Sequence, residues 1–344
     1  MRYSAIIAGA VAAGVVSAHG NLEQEIAVRR AMLQHTSRNL EHCAAKLKTR
    51  GLEDRAIERR ANKRDELVKK RNIKARDLAT VLATDHNATD TGFTLNTPES
   101  DVFASYTSCI LTAEGESGPY YVAGEYVRED LVDDQEGVPV HYDFQIIDVN
   151  TCEPIVGSYF EIFSCNSTGV YSGTTNTGNG NTEDTSVLDK TFLRGLQPTD
   201  EEGVASFNTL FPGHYAGRAV HIHTILHENA TVRENGTVYD LIASHIGQTF
   251  WDQSVRDAVE LLYPYNTNTQ SNTANADDRV IASETETNGT TDPFFNYVQL
   301  GDSIQDGFLA WIVLGVNTSL TASTISPAAE YYASGGVEVS VTEF

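Results

Sequence analysis

Asp143-Phe-Gln-Ile-Ile-Asp-Val149 and Gly157-Ser-Tyr-Phe-Glu-Ile-Phe163 decide the fold. In both, side chains of opposite character alternate at the period of two that places successive residues on opposite faces of a strand. The same reading gives strands over residues 203–209, 219–226 and 337–341, with turn clusters of Gly, Asn, Asp and Pro between them. Only residues 250–262 read as helix in this half, with Trp251, Val255, Val259 and Leu262 on one face. Many short strands with turn punctuation predict a mainly β protein with a β-sandwich core. The polar stretches 173–186 and 264–292 read as surface loops.

Charge divides the chain. Residues 1–76 hold 17 Lys/Arg against 8 Asp/Glu, whereas residues 77–344 hold 7 against 39, for a formal net charge of −23. An acidic body of this kind repels phosphate backbones, so no nucleic-acid partner is expected. Two methionines and four cysteines argue against a soft-metal cage. These features divide the chain at 1–18, 19–76 and 77–344.

Residues 1–18 carry Arg2, an apolar run from Ala5 to Val16 and the small-x-small exit Val16-Ser17-Ala18. That is the layout of a secretory signal peptide, and the run is too short to span a bilayer. Six Asn-x-Ser/Thr sequons, at Asn87, Asn166, Asn229, Asn235, Asn288 and Asn317, fit a secreted glycoprotein with no membrane anchor. Residues 19–76 read as charged helix, with Leu33, Leu40, Ala44 and Leu47 at helical spacing and no proline. The pairs Arg29-Arg30, Arg59-Arg60, Lys63-Arg64 and Lys69-Lys70-Arg71 suit a dibasic-specific protease. The segment is therefore either a cleaved pro-segment or a retained arm. Cys152 and Cys165 flank a predicted strand and suit a disulfide in an oxidising compartment, which leaves Cys43 and Cys109 over. Spacing alone does not fix the connectivity.

The chemistry concentrates in Pro212-Gly-His-Tyr215-Ala-Gly-Arg218-Ala-Val-His221-Ile-His223. On a strand, His221 and His223 present two imidazoles on one face, a ready pair of metal ligands. The bland alternative is two surface histidines on a half-exposed strand. No His-Glu-x-x-His motif occurs, and no Gly-x-Ser-x-Gly. The nearby oxygen donors are Tyr215 and Tyr171, whose phenols bind well only after losing a proton and so select a strongly Lewis-acidic ion such as ferric iron.

With Gly118-Pro-Tyr-Tyr, Cys165-Asn-Ser-Thr-Gly-Val-Tyr171-Ser-Gly and Phe192-Leu-Arg-Gly added, the sequence resembles the secreted fungal branch of the intradiol ring-cleavage dioxygenases. The likeness extends to the pattern of the bacterial catechol and protocatechuate dioxygenases. It is close over residues 95–265 and looser before them. It implies one non-haem Fe(III) per chain on Tyr171, Tyr215, His221 and His223, with Tyr215 the ligand that substrate displaces. It also implies that Arg218 faces the substrate and that Gln248 stands behind the site. The implied partners are catechol-type phenolics and O2, cleaved to muconate-type diacids, and a homodimer is left open. Two departures touch the pocket: Phe163-Ser164 stands where the family carries Trp-His, and the stretch from Tyr215 to the His pair is shorter than in bacterial members. Two other classes remain: a metal-binding pseudoenzyme or binding glycoprotein of the same fold, and a zinc or copper hydrolase drawing a further ligand from His227 or His245.

Overall fold

The computed structural model describes residues 27, 30, 39–73, 108–111, 118–175, 184–228, 230–240, 242–243, 245–285, 292–320, 323–325, 327–332 and 335–338. The signal-like segment and the sequons at Asn87, Asn229 and Asn288 lie outside them. Two sheets stack face to face, as the alternation predicts. The larger holds β1 (Ser108–Ile110), β2 (Pro139–Asp148), β3 (Glu153–Pro154), β6 (Val204–Leu210), β9 (Asn296–Gln299) and β10 (Phe308–Val316). The smaller is an antiparallel set in the order β8 (His245–Phe250), β7 (His221–His227), β4 (Tyr159–Phe163) and β5 (Arg194–Pro198).

Alternate side chains build the layers. From β2, Val140, Tyr142, Phe144 and Ile146 enter the core between the sheets, where they meet Phe160 and Ile162 of β4 and Ile222 and Leu226 of β7. Trp251 closes one end of this core and donates from Nε1 to Tyr142 Oη at 2.9 Å. Sequence reading passed over β1, β5, β8, β9 and β10, of which β10 is the longest. Its nine-residue apolar run does not alternate, because both of its faces are buried. It pairs in parallel with β2 and with β1, and strands buried on both faces read as continuous hydrophobic runs.

The helix expected over residues 250–262 is shorter, α3 (Gln253–Val259). Phe250 stays extended because it ends β8 opposite His221 and exchanges backbone hydrogen bonds with the 293–295 segment. In the N-terminal segment, α1 (Ala44–Thr49) and α2 (Leu52–Lys70) flank Gly51, whose φ of 66° breaks the run. No helix among the described residues is long and apolar enough to cross a membrane.

The two helices lie on the outer face of the larger sheet. Ala61 and Leu67 pack on Leu309 and Trp311, while Leu40 and Cys43 pack on Ile147 and Val149. Cys43 is joined to Cys152, so the expected Cys152–Cys165 pairing is corrected. Cys152 sits at the turn after β2 on the helical side, whereas Cys165 follows β4 among the residues beyond the smaller sheet; the sandwich core lies between them. Cys165 is a buried free thiol that donates to the Gly213 carbonyl at 3.2 Å. The Cys109 side chain lies outside the described residues.

The basic segment meets the acidic body at one buried point. Asp143 is reached by Arg59 at 2.8 Å and by Arg60 at 3.3 Å, and the Arg60 guanidinium lies 5.3 Å from the centroid of the Trp311 ring. Burial alone would raise the Asp143 carboxyl, but Arg60 and Arg59 outweigh it and hold it at about 2. A depressed carboxyl contributes stability above its unfolded value of 3.8, and this contribution is lost as pH falls through about 2. Asp143→Asn leaves Arg60 buried without its counter-charge and should cost about 3–5 kcal/mol, read by chemical denaturation at pH 7. The difference from wild type should shrink below about pH 4 and vanish near pH 2.

Candidate metal centre

The outer face of the smaller sheet carries the site. The seven residues of β7 are all buried. Ile222 and Leu226 fill the sandwich core, which sends His221, His223, Ile225 and His227 to the opposite face. Ile225 there joins a second apolar cluster with Tyr120, Tyr121, Phe163, Tyr171, Tyr215 and Ile246. The His pair is therefore a buried pair, and the surface-histidine alternative is excluded: His221 is 3% and His223 1% exposed.

Two loops bring the phenols in. The Tyr171 loop turns on Asn166, whose Oδ1 accepts from the backbone N of Thr168 and of Val170. Gly169 in that loop has φ 79°, and a Cβ there would stand 2.1 Å from the His214 carbonyl, so only glycine fits. This close approach locks the Tyr171 loop against the Tyr215 loop. Gln270 ties them further, donating to the Thr168 and Gly169 carbonyls, while Asn268 donates to the His214 carbonyl at 2.7 Å. Gly118 comes close enough to His223 that a Cβ would lie 3.0 Å from its Cε1.

The result is a convergence on one point. His221 Nε2 stands 3.3 Å from Tyr215 Oη, 3.5 Å from Tyr171 Oη and 3.1 Å from His223 Nε2. His221 Nδ1 donates to the Ala219 carbonyl at 2.6 Å, which fixes the tautomer and leaves Nε2 as a lone pair facing the other three. Four donor atoms of the metal-binding type thus face one another, and one cation among them would be held by all four. Ligands about 2.0–2.1 Å from one ion stand roughly 2.8–3.4 Å apart at right or tetrahedral angles, close to the separations here. Burial holds the Tyr171 phenol well above its ordinary value, with Tyr215 adding to the rise. Burial also pushes Tyr215 up to about 12 although Arg218 pulls it down. Only a strong Lewis acid would draw both protons off. The donor set fits a metal, and fits one that takes anionic oxygen.

The surroundings separate the remaining possibilities. His227 lies six residues along β7 from His221, roughly 20 Å away, and engages Glu161 at 2.9 Å and Asp240 at 3.4 Å. His245 meets the Asn317 backbone. Neither can join the His pair, so the hydrolase alternative lacks its ligand. Among the described residues, the one group of three clustered His and Cys side chains is His42, Cys43 and Cys152, two of which form the disulfide. Phe163 lies flat on His223, centroids 4.3 Å apart and 2° from parallel, and Arg194 covers Phe163 at 4.9 Å. Phe163 thus supports the His223 ring by stacking. Tyr120 stacks on Tyr171 at 4.5 Å and meets Tyr215 edge-on at 5.4 Å.

Arg218 and Gln248 are also brought in. Gln248 pairs with His223 across β8 and β7, and its Oε1 accepts from Arg218 Nη2 at 2.5 Å. Sequence reading missed the rest of this shell. Asp278, 1% exposed, holds Arg218 at 2.9 Å. Arg194, fully buried, donates to the backbone carbonyls of Tyr120 and Ser172 and so braces the Tyr171 loop. The 264–292 segment read as surface because it is polar; in the fold, Asn268, Gln270 and Asp278 spend that polarity on the site loops. The acidic step before Arg279-Val-Ile, an ordinary helix-start signal, was the available clue to Asp278.

No protein-family model matches the chain, and no curated protein matches it. Solved structures do. The chain is similar to an intradiol ring-cleavage dioxygenase from Tetranychus urticae, 27% identical over 64% of this chain and 98% of that one, with a TM-score of 0.48. It is similar to a catechol 1,2-dioxygenase from Acinetobacter sp. ADP1, 20% identical over 63% of each chain, with a TM-score of 0.36. It is also similar to a hydroxyquinol 1,2-dioxygenase from Pseudomonas putida DLL-E4, 16% identical over 61% of this chain and 67% of that one, with a TM-score of 0.37.

Proposed function

We propose that the chain is a secreted non-haem Fe(III) dioxygenase that opens catechol-type rings between their two hydroxylated carbons. Both atoms of O2 enter a muconate-type diacid, so catechol and O2 together account for every atom of the product. The observation that carries the reading is the buried convergence of two phenol oxygens and two imidazole nitrogens beside the Arg218 guanidinium. What a ferric ion supplies when bound by such a set is the Lewis acidity to take a catecholate and draw ring electron density towards itself.

The chain's own residues do the rest. Tyr171, His221 and His223 would hold the ion throughout. Tyr215 Oη is the base at hand for a catechol proton, and its phenol would be released as the substrate oxygens enter. Arg218 holds a fixed positive charge beside the buried Tyr120, Tyr171 and Tyr215, and a preorganised charge acts most strongly in such low-dielectric surroundings. Gln248 accepts from Arg218 and restrains its swing.

Secretion is part of the proposal. The Cys43–Cys152 disulfide suits an oxidising compartment, as does the signal-like N-terminus. The 19–76 segment reads best as a retained arm: Arg60 of the Arg59-Arg60 pair is 1% exposed within α2, out of a protease's reach while the helix is folded. If the exposed pair Lys69-Lys70 is cut instead, Cys43 keeps the released piece attached. A retained arm should give one band on reducing and non-reducing gels alike, whereas a cut at that pair should give two bands only on the reducing gel. Peptide mapping after glycosidase treatment should find Asn235, which is exposed, modified and Asn317, 4% exposed, bare.

The activity is tested on iron-loaded protein by oxygen uptake with a panel of catechols. The protein should be reddish from phenolate-to-iron charge transfer, with about one iron per chain; stoichiometric zinc and no colour would overturn the reading. His221→Ala and His223→Ala should lose iron and colour together. Arg218→Ala should keep both while turnover falls on the order of 10²–10³-fold. Tyr215→Phe should keep part of the iron with an altered spectrum and slow the binding of catechol. An unchanged spectrum and rate in that variant would mean the tyrosine is not a ligand.

A further inference from the structure

Arg218 is useful to the reaction only if its guanidinium is aimed, and the side chain that aims it comes from outside the strands. Asp278 accepts from Arg218 Nε through Oδ2 at 2.9 Å and from Nη2 through Oδ1 at 3.4 Å. This is the two-point fork by which a carboxylate fixes a planar guanidinium in rotation as well as in place. It occupies the Nε–Nη2 edge, and Gln248 Oε1 takes Nη2 as well. Nη1 is left with no hydrogen-bond partner among the described residues.

Asp278 is itself held. Oδ2 also accepts from the Ala219 backbone N at 2.7 Å, and Oδ1 from Val280 N at 2.9 Å and Ile281 N at 3.0 Å, at the start of α4 (Arg279–Thr285). The carboxylate therefore clamps both the side chain of Arg218 and the peptide that follows it. Every one of these groups is buried: Arg218 is 2%, Gln248 2%, Ala219 1% and Asp278 1% exposed. A buried guanidinium without its carboxylate would be costly and free to reorient.

We infer that Asp278 is the positioning residue of the site: it engages the Nε edge of Arg218 so that the Nη1 edge is presented to an anionic catecholate. The inference rests on the dioxygenase reading for the identity of the ligand, though not for the geometry.

The test is a double-mutant cycle on the iron-loaded enzyme, with Asp278→Asn made in the wild-type and in the Arg218→Ala background. Two quantities are read: the ring-cleavage rate, and the affinity for 4-nitrocatechol, a coloured probe whose binding is followed by its visible spectrum. Asparagine keeps an oxygen for Val280 and Ile281 but cannot accept through its amide nitrogen from Arg218 and Ala219. In the wild-type background, rate and probe affinity should fall on the order of 10–10²-fold, as for a misplaced stabiliser. In the Arg218→Ala background the further loss should be under about threefold, with iron content and unfolding temperature recorded for each protein. An equal loss in both backgrounds would overturn the inference and make Asp278 a residue of the fold alone. If Asp278→Asn does not fold, Asp278→Ser, which retains a cap but has neither charge nor reach, carries the same comparison. Iron-loaded wild-type protein that binds the probe but cleaves no catechol would sink the functional reading, while the affinity cycle would still decide the role of Asp278.

Discussion

Two imidazoles two residues apart on one fully buried strand constrain the rest of the molecule. β7 has apolar company on both sides: the sandwich core takes Ile222 and Leu226, and the second cluster takes Ile225. A slip of one residue in its pairing would send His221 and His223 into the sandwich core and two large aliphatic side chains to the site. The register with β4 and β8 is therefore set by the burial of both faces at once. That register also places Gln248 opposite His223 and Phe163 opposite His223 on the other edge.

Around this strand the fold keeps its charges in compensated pairs away from water. Asp143 carries the arm's arginines on the far face of the larger sheet, and Asp278 carries Arg218 beside the candidate metal centre. Such pairs add little net stability, but each makes its partner expensive to move. For Arg218 the rigidity is functional, because stabilising developing charge depends on a donor that is already in place. For Arg59 and Arg60 it is architectural, since it fastens a segment of opposite charge onto an acidic body.

The tyrosines show the same coupling of packing and chemistry. Tyr171 and Tyr215 come from two loops that touch at Gly169, where no side chain fits. Their phenols are buried deeply enough to hold their protons unless a cation arrives, and Tyr120 and Phe163 pack against them. The site is a place where the sequence spends aromatic bulk on burying the phenols and polar loop residues on holding the loops that carry them.

The sequence by itself carried the mainly β character, because a period of two is a local property of β2, β4 and β7 and needs no partner to be seen. It also carried His221, His223, Tyr215 and Tyr171 as candidate donors, since residue chemistry and same-face spacing are local too, while Arg218 and Gln248 came through the resemblance to a known family. It missed several strands, β5 and β8 of the smaller sheet among them and β10, whose double burial erased the alternation, and it paired Cys152 with the neighbour nearest in sequence when the sandwich core stands between them. Asp278, Arg194 and Gln270 were invisible for a related reason: each is an ordinary polar residue whose meaning is the group it touches, 60 residues away from Arg218 in the case of Asp278. Which atoms converge, and which charge answers which, was decided only by tertiary structure, because desolvation and hydrogen bonding act between neighbours in space and leave no period in the chain.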